Sequence, residues 1–193
     1  MQNTKEKILT VATKIFSRYG FYKTSMDEIA RISHKAKGSL YYHFASKEEL
    51  FTEVVSREIE HMKKELSVIV TDTNLNAGEK LRKYLFTRMA VLKQASNYHE
   101  TLKADFFEHF EFIDKLRGEM DHWEKVQLRF IINQGIEEGV FGNKGKSTGV
   151  LLDVFVMVLK GLEIPFFLQD KYDELQPHFD DLINIIIKGM SPD

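Results

Sequence analysis

The chain has 193 residues, 43% of them hydrophobic, with three prolines, eleven glycines and no cysteine. The length suits one ordinary domain or a small head on a larger body, and the scarcity of proline favours helices over many-turned β architectures. Without cysteine, disulfides, thiolate metal sites and cysteine nucleophiles are excluded. No leader pattern opens the chain, since Lys5-Glu6-Lys7 runs straight into an amphipathic pattern. The longest apolar runs, near 150–159 and 183–187, are too short and interrupted to span a bilayer, so a cytoplasmic protein with no membrane partner is expected. The net charge of −2 conceals an asymmetry. Through Lys47 there are nine basic and three acidic residues, a net of +6, and the remainder carries 18 basic against 26 acidic, a net of −8. A basic head on an acidic body is the footprint of a protein that meets phosphates at one end.

Taken in order, residues 4–19 predict a first helix. Ile8, Val11, Ala12, Ile15, Phe16 and Tyr19 recur at helical spacing, Thr4 can cap it, and Gly20 ends it. Thr24 or Ser25 caps a second helix over about 25–32, with Asp27 and Glu28 suiting its dipole. Ile29, Ala30 and Ile32 give that helix an apolar side. A third helix spans about 37–43, anchored by Leu40 and Phe44 on one face. Its other faces carry Lys37, Ser39, Tyr41, Tyr42 and His43. Seven residues cannot stand alone as a helix in water, so this one needs a scaffold. Its exposed donors and single cation have the chemistry of a helix that enters a DNA groove. The head core is expected from Ile8, Ala12, Ile15, Phe16, Phe21, Ile29, Leu40, Phe44 and Leu50.

Ser46 followed by Lys47-Glu48-Glu49 starts a fourth helix that runs to about 70 through Leu50, Phe51, Val54, Val55, Ile59, Met62, Leu66 and Ile69. A polar loop, 71–78, follows. A fifth helix covers 79–96, with Leu81, Tyr84, Leu85, Arg88, Met89 and Leu92. Residues 98–116 read as one or two helices. Gly118 is expected to break the chain before a helix over 119–138, built on Trp123, Val126, Phe130, Ile131 and Ile136 and closed by Gly139. The last two helices, about 147–169 and 173–190, are apolar over more than one face, which points to a second partner beyond the protomer's own core.

Two runs carry a resemblance: Phe21-x-x-Thr24-Ser25-Met26-x-x-Ile29-Ala30, then Lys37-Gly38-Ser39-Leu40-Tyr41-x-His43-Phe44-x-Ser46-Lys47-Glu48-x-Leu50. Over roughly residues 5–51 the chain resembles the DNA-binding domain of the TetR family of bacterial transcriptional regulators. Residues 52–193 match that family only in length and helical character. The sequence departs from the family pattern at the turn Ser33-His34-Lys35-Ala36, where Gly, an aliphatic and a Ser or Thr cap are usual. His tolerates a left-handed turn position. Ala36 cannot cap the next helix, and Lys35 adds positive charge near DNA.

The resemblance implies an all-α fold with a helix-turn-helix DNA-binding domain, 1–46, and a helical effector-binding and dimerisation domain, 47–193. It implies a homodimer through the last two helices, double-stranded DNA and a small hydrophobic or amphipathic effector as partners, no cofactor and no enzymatic activity. Repression is the default sense, relieved when the long fourth helix moves on effector binding. Glu137-Glu138-Gly139-Val140-Phe141-Gly142 resembles the turn before the dimer helices.

The DNA-contact candidates are Thr24, Ser25, Lys35, Lys37, Gly38, Ser39, Tyr41, Tyr42, His43 and Lys47. Lys37 and Ser39 stand at the start of the reading helix. The polar tips of Tyr41, Tyr42 and His43 suit phosphates and sugars. Gly38 permits close approach, and Lys47 at a helix N-terminus makes a phosphate clamp. Ligand candidates are Tyr84, Arg88, Met89, Phe106, Phe107, Phe110, Trp123, Gln127, Phe130 and Glu163, although aromatics at this spacing are more often core. Glu163 is conspicuous in an apolar helix. The alternative readings are a metal site at His99, Asp105, Glu108, His109 and His122, which lacks any strong ligand motif, or a helical adaptor that has lost DNA binding.

Overall fold

The computed structural model describes residues 4–103, 111–142 and 148–192. Among these, all regular structure is helical: α1 (Thr4–Tyr19), α2 (Met26–Ile32), α3 (Lys37–His43), α4 (Lys47–Thr71), α5 (Ala77–Gln94), α6 (Ser96–Glu100), α7 (Glu111–Glu137), α8 (Thr148–Gly161), a π-helical segment (Ile164–Leu168), α9 (Tyr172–Leu175), a 3₁₀ turn (Gln176–His178) and α10 (Phe179–Met190). The described chain divides into two compact units, 1–61 with 95–114 and 62–94 with 115–193. The boundary falls inside α4, so the unit holding the head extends beyond residue 46.

In the first unit all nine head-core residues are buried, and Leu9, Met26 and Phe51 join them. The Phe51 ring meets Phe16 edge-on at 5.1 Å and Phe21 at 5.0 Å. Two outer members of the expected pattern face solvent instead: Tyr19 is 45% exposed and Ile32 40%. Each ends its helix, where no neighbouring turn remains to cover it. Gly20 ends α1 in a left-handed conformation, φ +79, its N–H reaching Phe16 O at 2.8 Å. The Arg57 guanidinium joins α4 to α1 by two bonds to the Glu6 carboxylate, 2.8 and 2.7 Å. Ala95 gives α6 no side-chain cap. Glu58 supplies one from α4, accepting from the Asn97 amide group at 2.6 Å and the Tyr98 N–H at 2.7 Å. Burial raises the Glu58 carboxyl above its ordinary range, and those hydrogen bonds oppose the rise.

In the second unit three expectations are corrected. Gly118 does not break the chain, because α7 runs unbroken through it. The glycine sits on the solvent side, where a Cβ would meet no atom, and an exposed helical glycine costs only about 1 kcal/mol. The helix expected over 147–169 stops as α-helix at Gly161, because Pro165 has no N–H for the Gly161 carbonyl and the chain widens into a π segment. The helix expected from 173 is divided for the same reason, with Pro177 in a 3₁₀ turn ahead of α10. At the other end of α7, Gly139 takes φ +71, and Val140 and Phe141 both donate their N–H to Gly135 O. The Phe141 ring then lies on Gly135, where an added Cβ would stand 2.0 Å from its Cδ2.

Candidate nucleic-acid interface and ligand region

Ser25, not Thr24, caps α2, its hydroxyl accepting from the Glu28 N–H at 3.2 Å. Thr24 is buried and donates its hydroxyl to Gly20 O at 2.8 Å, so its side chain is removed from the set facing DNA. His34 takes φ +53. Its N–H reaches Arg31 O at 3.2 Å and that of Lys35 reaches Ala30 O at 3.0 Å, a Schellman pairing made without glycine. Ser33 is buried with its hydroxyl donating to Ala30 O at 3.0 Å. As the sequence implied, Ala36 gives α3 no side-chain cap.

Leu40 is the one buried residue of α3. Lys37, Gly38, Tyr41 and Tyr42 are exposed, Tyr42 by 85%. Ser39 and His43 are half-buried at the edges of that face. The ammonium of Lys37 lies 2.8 Å from one carboxylate oxygen of Asp27 and 3.0 Å from the other. That bond and charge raise the Lys37 pKa. Gly38 is helical, and a Cβ there would touch nothing in the protein.

Two cations expected at phosphates carry structural bonds. Lys35 reaches Thr4 Oγ1 at 3.4 Å. Lys47 donates to Phe21 O at 3.1 Å and Thr24 O at 3.2 Å and lies 4.2 Å from the Phe21 ring centroid. A phosphate clamp is therefore not its whole role. Lys47 ties the start of α4 to the loop between α1 and α2, which leaves one N–H for an anion.

The ligand candidates separate. Tyr84, Arg88 and Glu163 do come together, fully buried, around a residue the sequence reading missed, Glu124. Arg88 donates to both Glu124 oxygens, 2.7 and 3.0 Å, and to Glu163 at 2.7 Å. Tyr84 donates to Glu124 at 3.3 Å, and Arg117 lies 3.8 Å from the other Glu163 oxygen. Burial first, then the charge of Glu124, holds the Tyr84 hydroxyl well above its ordinary pKa. Buried charges persist only when matched in this way.

The inward stripe of α7 is Ile113, Arg117, Met120, Glu124, Leu128 and Ile131. Trp123 and Gln127 are half-buried on its flank, and Val126 and Phe130 point outward at 38% and 62% exposure. Phe130 is thereby removed from the ligand set. Arg117 and Glu124 hid the true stripe, because hydrophobic periodicity gives no weight to a paired charge. Met89 is buried beside Arg88. Phe106, Phe107 and Phe110 lie outside the described residues, as do Asp105, Glu108 and His109 of the metal reading; His122 is exposed on α7.

A cavity of about 270 Å³ opens elsewhere in this unit, lined by Leu128, Ile132, Phe141, Leu152, Phe155 and Ile186 among others, with no charged or hydrogen-bonding side chain. Along α8, Leu152, Val156 and Leu159 turn inward, while Val150, Leu151, Val154, Met157 and Val158 stay 51–69% exposed. On α10, Phe179 and Ile183 are buried and Leu182 and Ile185 are exposed. Both helices thus show apolar surface in this protomer. No helix among the described residues is long and apolar enough to cross a membrane.

A three-helix head that buries one residue of its last helix and offers the rest outward defines a helix-turn-helix DNA-binding regulator. Residues 8–54 match the model for bacterial regulatory proteins of the tetR family. Residues 8–54 are thus a DNA-binding domain of that family, and the chain is a DNA-binding transcriptional regulator. It is 27% identical over 189 residues to the HTH-type transcriptional regulator YhgD of Bacillus subtilis, covering 97% of this chain and 96% of the relative. The HTH-type regulator QacR of Staphylococcus aureus is 46% identical over 56 residues, 29% of this chain and 30% of QacR. The HTH-type repressor KstR2 of Mycobacterium tuberculosis is 29% identical over 150 residues, 73% of this chain and 70% of KstR2. The KstR2 structure shares the fold with a TM-score of 0.64 at 18% identity, covering 100% of this chain and 97% of that one.

Proposed function

We propose that this regulator is an effector-released repressor that reads a pseudo-palindromic operator as a homodimer. The observation that carries the reading is α3, whose side chains other than Leu40 are exposed or half-buried. Ser25, Lys37, Gly38, Ser39, Tyr41, Tyr42 and His43 are the DNA-facing set. Lys35 and Lys47 contribute mainly by holding the head together and by their charge. Repression is the sense printed for KstR2. The second apolar stripes of α8 and α10 support pairing with another copy, since a helix packed at the surface of one protomer needs only one such stripe. A two-fold dimer sets two heads on half-sites about 34–36 Å, or a further turn, apart.

The functional division we assign is DNA reading to 1–46 and effector binding with dimerisation to 47–193. The effector is a small apolar or amphipathic molecule. The Arg88 guanidinium is taken up by Glu124 and Glu163, and an apolar effector calls for an apolar lining, so the cavity beside α7, α8 and α10 is the better-suited place for it. Its binding must favour one head spacing over another, because equal affinity for both shifts nothing. Neither a cofactor nor catalysis enters this reading, and the cytoplasm is its natural place.

The test is selection of bound sequences from a random duplex pool by purified protein at fixed salt, with Tyr42→Ala as control. An enriched pseudo-palindrome that the variant fails to enrich is the expected result. Recovery of an asymmetric single site would remove the dimer from the reading. Only weak, salt-sensitive binding, unchanged by refolding from denaturant, would remove specific recognition.

A further inference from the structure

The three lysines among the candidate DNA contacts are each held by a protein acceptor. Lys35 is on a hydroxyl and Lys47 on two carbonyls, so only Lys37 is held by a charge, the Asp27 carboxylate. This pair links α2 to α3 but caps neither helix. Ser25 already caps α2, and neither partner supplies the cap that Ala36 denies α3. Both side chains are more than half exposed, 61% and 64%, so the pair adds little to stability. Its geometry is nonetheless defined. Lys37 faces both carboxylate oxygens at 2.8 and 3.0 Å, and its ammonium lies 5.9 Å from the Tyr41 ring centroid one turn on.

We propose that Asp27 is a specificity-determining positioning residue: it fixes the Lys37 ammonium at one point over the reading face and keeps it from the phosphates of unrelated duplexes. A lysine ammonium has three N–H groups on a flexible four-carbon stem. Unheld, it follows whichever phosphate is nearest and adds one counterion release on any sequence. Held by Asp27, it keeps a donor for an acceptor at that one place, and the ordering cost is met before DNA arrives. The pair persists in the specific complex. An Asp27 that merely surrendered Lys37 on binding would oppose the operator at least as strongly as other DNA and would improve no discrimination. Negative charge so near the phosphates also lowers affinity for every duplex, so a second acid in the same turn, Glu28, serves as the control for charge alone.

The experiment compares D27N, E28Q, K37A and the double variant D27N/K37A on the selected operator and on an unrelated duplex, across a salt series. Melting temperatures are taken alongside. D27N is expected to tighten unrelated-duplex binding several-fold and to steepen its salt slope by about 0.9, the release for one phosphate. Operator affinity stays level or falls, so discrimination drops. K37A is expected to weaken the operator alone, and D27N in the K37A background to behave like E28Q. The proposal is overturned if D27N matches E28Q, if its gain survives in K37A, or if the operator gains as much as unrelated DNA. Should D27N not fold, K37A decides alone: loss confined to the operator supports the proposal, and equal loss on both duplexes overturns it. The unrelated-duplex arm needs no operator, so failure to find one leaves this outcome readable.

Discussion

The DNA-reading head and the second compact unit keep their polar side chains in different places. The head core is apolar, and the buried hydroxyls of Thr24 and Ser33 close locally onto backbone carbonyls within four residues. Its charges lie at the surface, arranged toward an outside partner. The second unit buries Arg88, Glu124, Glu163, Arg117 and Lys80. The Lys80 ammonium donates to Val70 O, a terminal carbonyl of α4, and to Gln134 Oε1, both at 2.8 Å. A core built from period alone tolerates apolar exchange. A core built on matched charges binds distant positions together, since each partner lost leaves another uncompensated.

Breaking the charged core should give the largest effect. Arg88→Met leaves buried Glu124 without its guanidinium and Glu163 with only the more distant Arg117, and a loss of about 3–5 kcal/mol in urea unfolding is expected. A loss under about 1 kcal/mol, the range of exposed pairs, would show the cluster to be wet and the contrast with the head false. Next comes the turn after α7. Gly135→Ala drives a methyl into the Phe141 ring, and overpacking of about 1–3 kcal/mol should lower the melting temperature. Gly118→Ala, on the open side of the same helix, is the control and should hold or raise it.

The smallest effect sharpens the comparison from the head's own unit. The raised Glu58 carboxyl means that the native state keeps this proton to higher pH than the unfolded chain. Its contribution to stability therefore falls as pH rises from the unfolded value near 4.5 through the folded one, and is flat beyond. Glu58→Gln should remove that slope from the difference between variant and parent. An unchanged pH profile would show Glu58 to be hydrated.

How much was legible follows the same division. Every expected head-core residue is buried, because an apolar helix face against polar neighbours is the signal that periodicity reads. The variant turn was legible too, with His34 at positive φ. What period could not give was the commitment of donors. Thr24 and Lys47 carry the chemistry of phosphate contacts and spend it on backbone carbonyls. In the second unit Glu124 and Arg117 drew no notice in the sequence, since a charge adds nothing to a hydrophobic period. Their spacing with Met120 and Leu128, and the presence of complementary Arg88 and Glu163, was the signal available. Phe130 falls outside the buried stripe as a consequence, and Gly118 looks like a break in the sequence although one exposed glycine costs a long helix little.

The most direct test of the central claim, that the open face of α3 approaches DNA closely, is Gly38→Ala. The added methyl meets no protein atom, so within the protein it acts only through helix propensity, a gain of up to about 1 kcal/mol. The measurement pairs the melting temperature with affinity for the selected operator. Stability held or raised, with operator affinity reduced by roughly tenfold or more, about 1.4 kcal/mol, is the expected result. Unchanged affinity in a folded variant would mean that this face does not meet the groove, and the reading of α3 would fall.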